Sequence, residues 1–298
     1  MCTALAFFGS RPFFGRNLDL EYSYEETVTI TPRNFPLHFR RTKPLLHHYA
    51  LLGIAYVQEN YPLYYDAANE KGLAIAGLRF PESTVYREPR SDRITIAPFE
   101  LIPWLLGQCA NVGEAQALLQ EAVLARIDFR ADLPCTPLHW LIADQTRSIV
   151  VESTSDGLQL YDDPVGILTN EPPFSQQLEA FHDVPEPIPG DHSSISRFQR
   201  AAFIKQKMQS APDKTDMVHS FFHLLDSVSV PCGGLIPAHP NMITQYSSCC
   251  DLDRTIYYYT TYENRAIQAI DLNRVNIDGT QLISYPLLKK GRPHLQNL

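Results

Sequence analysis

The second residue of the chain is a cysteine, and its position offers two groups that can do chemistry. Methionine is normally removed when a small residue follows it, so we expect Cys2 to carry both its thiol and a free α-amine. An α-amine has an ordinary pKa of about 7.7 to 8.0 and can act as a general base near neutral pH. A thiol that loses its proton is a strong nucleophile. By itself, a cysteine at the second position favours a buried structural thiol over a catalytic one.

Two charged residues follow in a segment that can return beside the N-terminus. The stretch FGRNLDLEYS contains Arg16 and Asp19. A cation beside a thiol favours the thiolate, and a carboxylate can hold an ammonium group. The alternative is an ion pair at an exposed turn, worth less than about 1 kcal/mol.

Composition limits the class of protein. The chain has 298 residues, 44% of them apolar and 19% charged, which is typical of a soluble globular protein. Its net charge of -8 argues against nucleic acid and anionic membranes as partners. No basic signal-peptide start and no run of about 18 apolar residues is present, so we expect a cytoplasmic protein without a membrane span.

The elements that must position these groups alternate in blocks of strands and helices. No linker or repeat divides the chain, and we expect one domain over residues 1–298. The blocks predict antiparallel sheets covered by layers of helices in an α+β protein. The predicted strands include CTALAFF, PFFGRNLD, TVTITPRNF, YALLGIAYV, GLAIAGLRF, LHWLIADQTRSIVVEST, TIYYYTTY, AIQAIDLN and QLISYPLL. The predicted helices are FELIPWLLGQCA, NVGEAQALLQEAVL, SISRFQRAAFIKQKMQ and DMVHSFFHLLDSV.

Long segments spread over nearly the whole chain resemble the choloylglycine hydrolase family, which includes bile-salt hydrolases and penicillin V acylases. The resemblance implies an N-terminal nucleophile hydrolase, built as a four-layer αββα sandwich, that cleaves a non-peptide amide without a metal or another cofactor. The segments are MCTALAFF, FGRNLD, VTITPRNFPL, YYDAANEKGLAIAGLRFP, GILTNEPPF, SISRFQRAAF and TIYYYTTYENRAIQAIDLN.

The resemblance also implies a role for each of five residues. Cys2 would be the nucleophile and its α-amine the base, Arg16 would hold the thiolate, and Asp19 would bind the amine. The side-chain amide of Asn170 would help to form the oxyanion hole, and Arg197 would complete the polar network. Taken singly, Asn170 also suits a turn for backbone reasons, and Arg197 suits a solvated helix start.

One position departs from the family pattern. Arg79 stands where bile-salt hydrolases usually carry Asn and penicillin V acylases tend to carry Tyr. In the family the backbone N–H of this residue is the other oxyanion donor, and a changed side chain leaves that N–H in place. We hypothesise that Arg79 pairs with the carboxylate or sulfonate of the leaving amino acid. The alternative is an arginine that obstructs the pocket and impairs catalysis.

A second departure is the short stretch between Asn170 and Arg197. Bile-salt hydrolases usually have a longer, glycine-rich excursion here, which helps to pack neighbouring subunits. The shortened stretch puts the family's usual homotetramer in doubt, and a smaller homo-oligomer is the alternative.

The early segments resemble bile-salt hydrolases more than penicillin acylases. We therefore expect amide hydrolysis of glycine- or taurine-conjugated bile salts, with Leu18 and Tyr65 lining an apolar pocket. Penicillin V or another N-acyl amide, such as an acyl-homoserine lactone, is the alternative substrate. Two other classes stay open. One is a metal site at His219 and His223, which lacks a third ligand, and the other is a non-enzymatic relative that only binds an anionic amphiphile.

Overall fold

Two antiparallel β-sheets stacked face to face form the centre of the protein in a computed structural model, which describes residues 1–9, 11–182, 184–209, 217–233, 239–293 and 295–297. The strands are β1 (Cys2–Phe7), β2 (Phe13–Leu20), β3 (Thr27–Thr31), β4 (Leu51–Gln58), β5 (Tyr61–Asn69), β6 (Ala74–Arg79), β7 (Ile94–Ile96), β8 (Ala122–Leu124), β9 (Leu138–Ala143), β10 (Ser148–Thr154), β11 (Gly157–Asp163), β12 (Ile167–Leu168), β13 (Ile243–Asp251), β14 (Ile256–Thr261), β15 (Gln268–Asp271) and β16 (Ile283–Pro286). The α-helices are α1 (Leu101–Leu106), α2 (Val112–Gln120), α3 (Phe174–Phe181), α4 (Ser194–Gln209) and α5 (Met217–Asp226).

The order of strands places β1 and β2 well inside one sheet. Within the described residues, that sheet has six strands in the order β12-β1-β2-β13-β14-β15. The second sheet has eight strands in the order β11-β10-β9-β6-β5-β4-β3-β16. A short parallel pair, β7 and β8, lies apart from both. The N-terminal residues are therefore held by strand pairing on both sides.

Both sheets are covered on both faces, which explains why their strands are apolar without strict alternation. All six residues of β1 are buried. The apolar residues between the sheets form one cluster with those of α4 and α5, while α1 and α2 cover the far face of the eight-stranded sheet through residues such as Trp104 and Trp140. The layers run helices, eight-stranded sheet, six-stranded sheet, helices. The predicted four-layer αββα sandwich is confirmed.

Helix α3 was not predicted from the sequence. Its N-cap position is Pro173, which offers no capping side chain. Instead, the backbone nitrogen of Phe174 donates a hydrogen bond of 2.9 Å to Glu152 Oε1 in β10. Because this cap comes from a residue distant in the sequence, no local signal marks where the helix begins.

Among the described residues, no helix combines the length and the apolar character needed to cross a lipid bilayer.

Candidate active site

Pairing between β1 and β2 brings the sequence-predicted charged residues back to the N-terminus. Cys2 lies opposite Leu18, and Ala4 lies opposite Arg16. Side chains alternate across a strand, so Cys2, Arg16 and Leu18 share the face that points to the eight-stranded sheet. Arg16 and Asp19 are both inside β2 and fully buried, so neither belongs to an exposed turn.

Arg16 crosses the gap between the two sheets. Its Nη1 donates to the carbonyl oxygen of Tyr65 at 3.0 Å and to that of Gly77, and its Nε donates to the carbonyl of Asn17 at 3.3 Å. Its backbone nitrogen donates to Ser248 Oγ at 3.1 Å. Within the described chain, Nη2 is buried without a partner. The guanidinium is thus fixed by backbone carbonyls and keeps one nitrogen free.

The charge of Arg16 is sustained by its neighbours. Burial by itself lowers the pKa of Arg16, but the nearby Cys2, Tyr246, Asp66 and Asp19 raise it above its ordinary value. A guanidinium is protonated at any physiological pH in any case. The site therefore holds a permanent positive charge beside Cys2.

Asn170 and Arg197 meet at the backbone of Cys2. The backbone nitrogen of Cys2 donates to Asn170 Oδ1 at 2.8 Å, and Arg197 Nη2 donates to the same oxygen at 2.8 Å. Arg197 Nη1 donates to Thr3 Oγ1 at 2.7 Å and to the Cys2 carbonyl. Asn170 Nδ2 donates to the Arg79 carbonyl at 2.7 Å. Arg197 is fully buried, which contradicts the alternative of a solvated arginine at a helix start.

Asp19 lies on the helix-facing side of β2, next to the first residue. Its Oδ1 accepts a hydrogen bond of 2.7 Å from Thr244 Oγ1, and its Oδ2 is buried without a partner within the described residues. The Met1 ammonium donates to the Asp19 carbonyl oxygen at 3.2 Å, and the Asp19 nitrogen donates to the Met1 carbonyl at 3.1 Å. With Met1 attached, the nitrogen of Cys2 is an amide. Asp19 Oδ2 is a free acceptor beside that end of the strand.

Sequence reasoning missed the residues that hold Asn170. Its backbone nitrogen donates to Ser194 Oγ at 2.9 Å, and Gln177 Nε2 donates to its carbonyl at 2.6 Å. Beneath it, Nε2 of the buried His139 lies 2.8 Å from the carbonyl oxygen of Thr169. These contacts link α3, α4 and β9 to the loop that contains Thr169 and Asn170. No sequence spacing predicts them, because each partner comes from a different part of the chain.

Arg79 ends β6 at the edge of this cluster with an exposed side chain. The Phe80 nitrogen donates to the Pro137 carbonyl at 3.0 Å, and hydrogen-bonded pairs alternate along an antiparallel ladder. The Arg79 N–H consequently points away from β9. In such a pair the N–H and the C=O of one residue point to the same side, so the Arg79 N–H lies on the side of β6 whose carbonyl accepts from Asn170 Nδ2.

An aromatic cluster that was not predicted lies near Arg79. The rings of Tyr22 and Tyr24 are 4.9 Å apart, and those of Tyr24 and Tyr56 are 5.6 Å apart. A hydrogen bond with Tyr22, followed by burial, raises the pKa of Tyr24 to about 12, while the charge of Arg79 acts in the opposite direction. The pKa of Tyr65 is raised chiefly by burial, and charge interactions with Tyr24 and Tyr56 raise it further. The three tyrosine rings therefore form an aromatic cluster, a tyrosine rim on the surface, with the charge of Arg79 close to Tyr24.

The thiol itself is nearly closed to solvent in this form of the chain, since Cys2 is 4% exposed. Leu18 is also buried. Two surface cavities of about 640 and 550 Å³ lie elsewhere, the first beside Leu119 and Leu158 and the second beside Val218 on α5. The candidate site is therefore identified by the hydrogen bonds that converge at Cys2 and not by the size of a cavity.

The structure offers no support for the metal-site alternative. His219 and His223 lie on α5, but among the described residues no group of three or more His, Cys, Asp or Glu side chains is placed to hold a metal.

Comparisons with known proteins relate the chain to one family of amide hydrolases, both by sequence and by fold. The model of the choloylglycine hydrolase family, linear amide C–N hydrolases, matches residues 2–185 and 184–285. The bile salt hydrolase/transferase of Lactiplantibacillus plantarum is 45% identical, and the alignment covers 100% of both chains. A crystal structure of a variant of the conjugated bile acid hydrolase from Clostridium perfringens superposes with a TM-score of 0.94 at 32% identity over 100% of both chains. Penicillin V acylase from Agrobacterium tumefaciens shares the fold, with a TM-score of 0.80 at 20% identity over 95% of this chain and 90% of that one.

The family match is also informative about the stretch between Asn170 and Arg197. Its two pieces meet at residues 184 and 185, inside this stretch. The alignment with the Lactiplantibacillus protein runs over 324 positions, against 298 residues here. The alignment therefore contains gaps in this chain, and the family match divides inside the stretch between Asn170 and Arg197.

Proposed function

The chain belongs to the choloylglycine hydrolase family of linear amide C–N hydrolases, and from this premise we propose that it hydrolyses the amide bond of glycine- or taurine-conjugated bile salts. The observation that carries the proposal is the convergence of Asn170 Oδ1, the Cys2 nitrogen and Arg197 Nη2, with both contacts at 2.8 Å. The names of the relatives from Lactiplantibacillus plantarum and Clostridium perfringens support the substrate class.

The reaction begins once removal of Met1 has turned the Cys2 nitrogen into an α-amine. That amine takes the proton of the Cys2 thiol, and the thiolate sulfur attacks the amide carbon of the substrate. The carbonyl oxygen becomes an oxyanion. Asp19 Oδ2, which is buried and without a partner in the described structure, accepts a hydrogen bond from the resulting ammonium. Arg16 stabilises negative charge at the sulfur.

Two donors support the oxyanion. Asn170 Nδ2 carries two hydrogens, and one is used by the Arg79 carbonyl at 2.7 Å, so the second is available. The Arg79 N–H, turned away from β9, supplies the other donor. Fixed donors of this kind act without reorganising as charge develops. Arg197 holds the Asn170 oxygen, so the amide nitrogen is turned toward the oxyanion.

Collapse of the tetrahedral intermediate breaks the C–N bond. The Cys2 ammonium donates its proton to the departing nitrogen, which leaves as glycine or taurine, and the acyl group stays on sulfur as a thioester. Water, deprotonated by the same amine, attacks the thioester carbon and releases the free bile acid. The thiol regains its proton from the ammonium, and the cycle closes.

Arg79 sets the polar end of the substrate site. Its exposed guanidinium pairs with the carboxylate of glycine or the sulfonate of taurine, a geometry that suits a planar fork. Leu18 and Tyr65 line the apolar side, where the steroid binds. The tyrosine rim beside Arg79 supports a substrate that is apolar at one end and anionic at the other.

The assembly is smaller than a homotetramer. The support for this part of the proposal is the shortened stretch between Asn170 and Arg197, where the family match divides. Light scattering of the purified protein measures the mass directly, and a particle of four chains would contradict the proposal.

The test of the substrate class is a panel of amides offered to protein whose intact mass shows that Met1 is absent. We expect glycine and taurine conjugates to be cleaved with a kcat/KM well above that for penicillin V or acyl-homoserine lactones. A preference for penicillin V would replace the proposed substrate but keep the chemistry. Binding of bile salts without turnover of any amide would favour a non-enzymatic relative.

A further inference from the structure

A buried carboxylate that the mechanism does not use lies behind Arg16, between the two sheets. Asp66 in β5 is 1% exposed. Tyr246 donates to its Oδ1 at 2.6 Å, and Ser248 donates to its Oδ2 at 3.0 Å, as does the hydroxyl of Tyr257. Three hydroxyl donors from β13 and β14 thus surround one carboxyl group of the other sheet.

The hydrogen bonds indicate that Asp66 is ionised. Ser248 Oγ accepts from the Arg16 nitrogen, so its own hydrogen is directed to Asp66. Burial raises the pKa of Tyr246 and that of Tyr257 well above their ordinary value, so both hydroxyls keep their protons and donate. Burial is the largest influence and raises the pKa of Asp66 above its ordinary value, while Arg16 first and then the three hydroxyls act in the opposite direction. Three donated hydrogen bonds and a nearby guanidinium favour the carboxylate, and we take Asp66 in that form.

The backbone carbonyls and Asp66 act on Arg16 in different ways: the carbonyls fix the position of its side chain, and Asp66 affects only its electrostatic surroundings. The side chain of Arg16 is oriented by the carbonyls of Tyr65, Gly77 and Asn17. Within the described residues, the side-chain hydrogen bonds of Arg16 do not include Asp66, which acts on Arg16 as a nearby opposite charge. Removing the charge of Asp66 should therefore leave the guanidinium in place and change the field around it.

Resting on the proposed role of Cys2, we propose that Asp66 is a positioning residue that acts through Arg16: it is the buried counter-charge that limits how strongly the guanidinium stabilises the Cys2 thiolate. An arginine buried without a counter-charge is costly. A thiolate stabilised too strongly also loses nucleophilicity. The balance of the two charges keeps the sulfur both ionisable and reactive.

Several other ionisable groups interact with Cys2, Arg16 or Asp66, and they must be the same in every variant that is compared. They are the α-amine of processed Cys2 on β1, Asp19 on β2, Tyr65 on β5, Tyr246 and Cys250 on β13, Tyr257 on β14 and Arg197 on α4.

The experiment measures the rate at which iodoacetamide alkylates Cys2 as a function of pH, in the full chain with Met1 shown by intact mass to be absent. Alkylation is read on the N-terminal peptide by mass spectrometry, so the other thiols do not contribute. In Asp66→Asn, we expect the midpoint of the profile to move to lower pH by about half a unit to one unit, because the charge of Arg16 is no longer offset. When Arg16 is replaced by methionine, adding Asp66→Asn should no longer move the midpoint: the double variant Asp66→Asn/Arg16→Met should have the same midpoint as Arg16→Met alone.

The matched control is Asp163→Asn. Asp163 is also a buried carboxylate with a cationic partner, Lys205, but it lies at the turn before β12 rather than behind Cys2. This variant should lose stability without moving the alkylation profile. A midpoint that is unchanged or higher in Asp66→Asn would overturn the proposal, because a purely structural role predicts loss of stability alone.

A second measurement applies if Asp66→Asn does not fold. Infrared spectra of protein labelled with ¹³C at the aspartate side-chain carboxyl distinguish a carboxylic acid from a carboxylate. The Asp163→Asn background is used, because burial raises the pKa of Asp163 to about 6. We expect no buried carboxylic acid band at neutral pH, and such a band would contradict the counter-charge. Neither measurement uses a substrate, so failure to cleave bile salts would refute the proposed function and leave this inference standing.

Discussion

The side-chain oxygen of Asn170 accepts a hydrogen bond of 2.8 Å from the backbone nitrogen of Cys2, a residue 168 positions away in the chain. Arg197 donates to the same oxygen, so the amide of Asn170 has a fixed orientation. Its nitrogen must then face the opposite side, where it reaches the Arg79 carbonyl. One side chain thereby links the backbone nitrogen of Cys2 to the end of β6 at Arg79.

Replacing Asn170 with alanine tests that link. The variant loses one oxyanion donor, so we expect kcat to fall about 10²- to 10³-fold while KM changes little. Steady-state kinetics on a conjugated bile salt provide the measurement.

The matched control for this prediction is Asn69→Ala. Asn69 is also fully buried, and its amide donates to the carbonyls of Leu106 and Cys109, far from Cys2 in the fold. It should lower stability but keep kcat. Equal losses of kcat in both variants would mean that Asn170 acts only through the fold.

The state of the N-terminus should control activity completely. A chain carrying a short extension that ends in a protease site before Cys2 has an amide where the base is required. We expect a loss of at least about 100-fold, the usual contribution of a general base. Cutting the extension away to expose Cys2 should restore the rate. Full activity with the extension in place, verified by intact mass, is incompatible with the α-amine as base.

Arg79→Asn separates recognition of the leaving group from chemistry. Losing a charge-assisted hydrogen bond, worth about 1.5 to 3 kcal/mol, should raise KM for glycine and taurine conjugates roughly tenfold or more. An amide of the same bile acid with an uncharged amine should be hydrolysed with unchanged kinetics. If glycine and taurine conjugates keep their wild-type kinetics, Arg79 does not bind the leaving group. Faster turnover of every amide would indicate an arginine that obstructs the pocket.

His192 links stability to pH near the active site. Its carbonyl accepts from Arg197 Nε at 3.2 Å, and its Nδ1 is buried without a partner within the described residues. Burial first, and then the charges of Arg200 and Arg197, lower the pKa of His192 below 6.5. The unfolded chain therefore binds this proton more readily than the folded one. Stability associated with His192 is complete above about pH 6.5 and is lost as the pH falls through its lower folded-state pKa.

Urea unfolding at pH 7.5 and at pH 5 checks this prediction. His192→Gln keeps the backbone carbonyl, so the variant should lose less stability between the two pH values than the wild type. Replacing the exposed His182 with glutamine should leave the difference as it is in the wild type. A variant of His192 with an undiminished pH dependence would show that other groups are responsible.

Much of the fold follows from local patterns, because strands in sheets covered on both faces form apolar runs and the outer helices are amphipathic. The segment CTALAFF became β1, and SISRFQRAAFIKQKMQ became α4 with the predicted bounds. Helix α3 was missed because its first N–H is capped by Glu152 rather than by a neighbour. The parallel pair of β7 and β8 was missed because each strand has only three residues.

The site divides in the same way. Cys2, Arg16 and Asp19 could be connected from the sequence, since one hairpin brings β2 back along β1. Asn170 and Arg197 came only from the family resemblance, because nothing local announces their contacts with Cys2. Ser194, Gln177 and Asp66 could not be found at all, as each depends on a partner from another layer of the fold.

The most direct test of the account is to trap the acyl-enzyme. The processed protein is mixed with a conjugated bile salt, quenched in acid within one turnover, and digested for mass spectrometry. We expect an N-terminal peptide that begins at Cys2, lacks Met1 and carries the bile acyl group on sulfur, with no adduct and no release of glycine or taurine in Cys2→Ala. An acyl group on another residue, or turnover by Cys2→Ala, would contradict it.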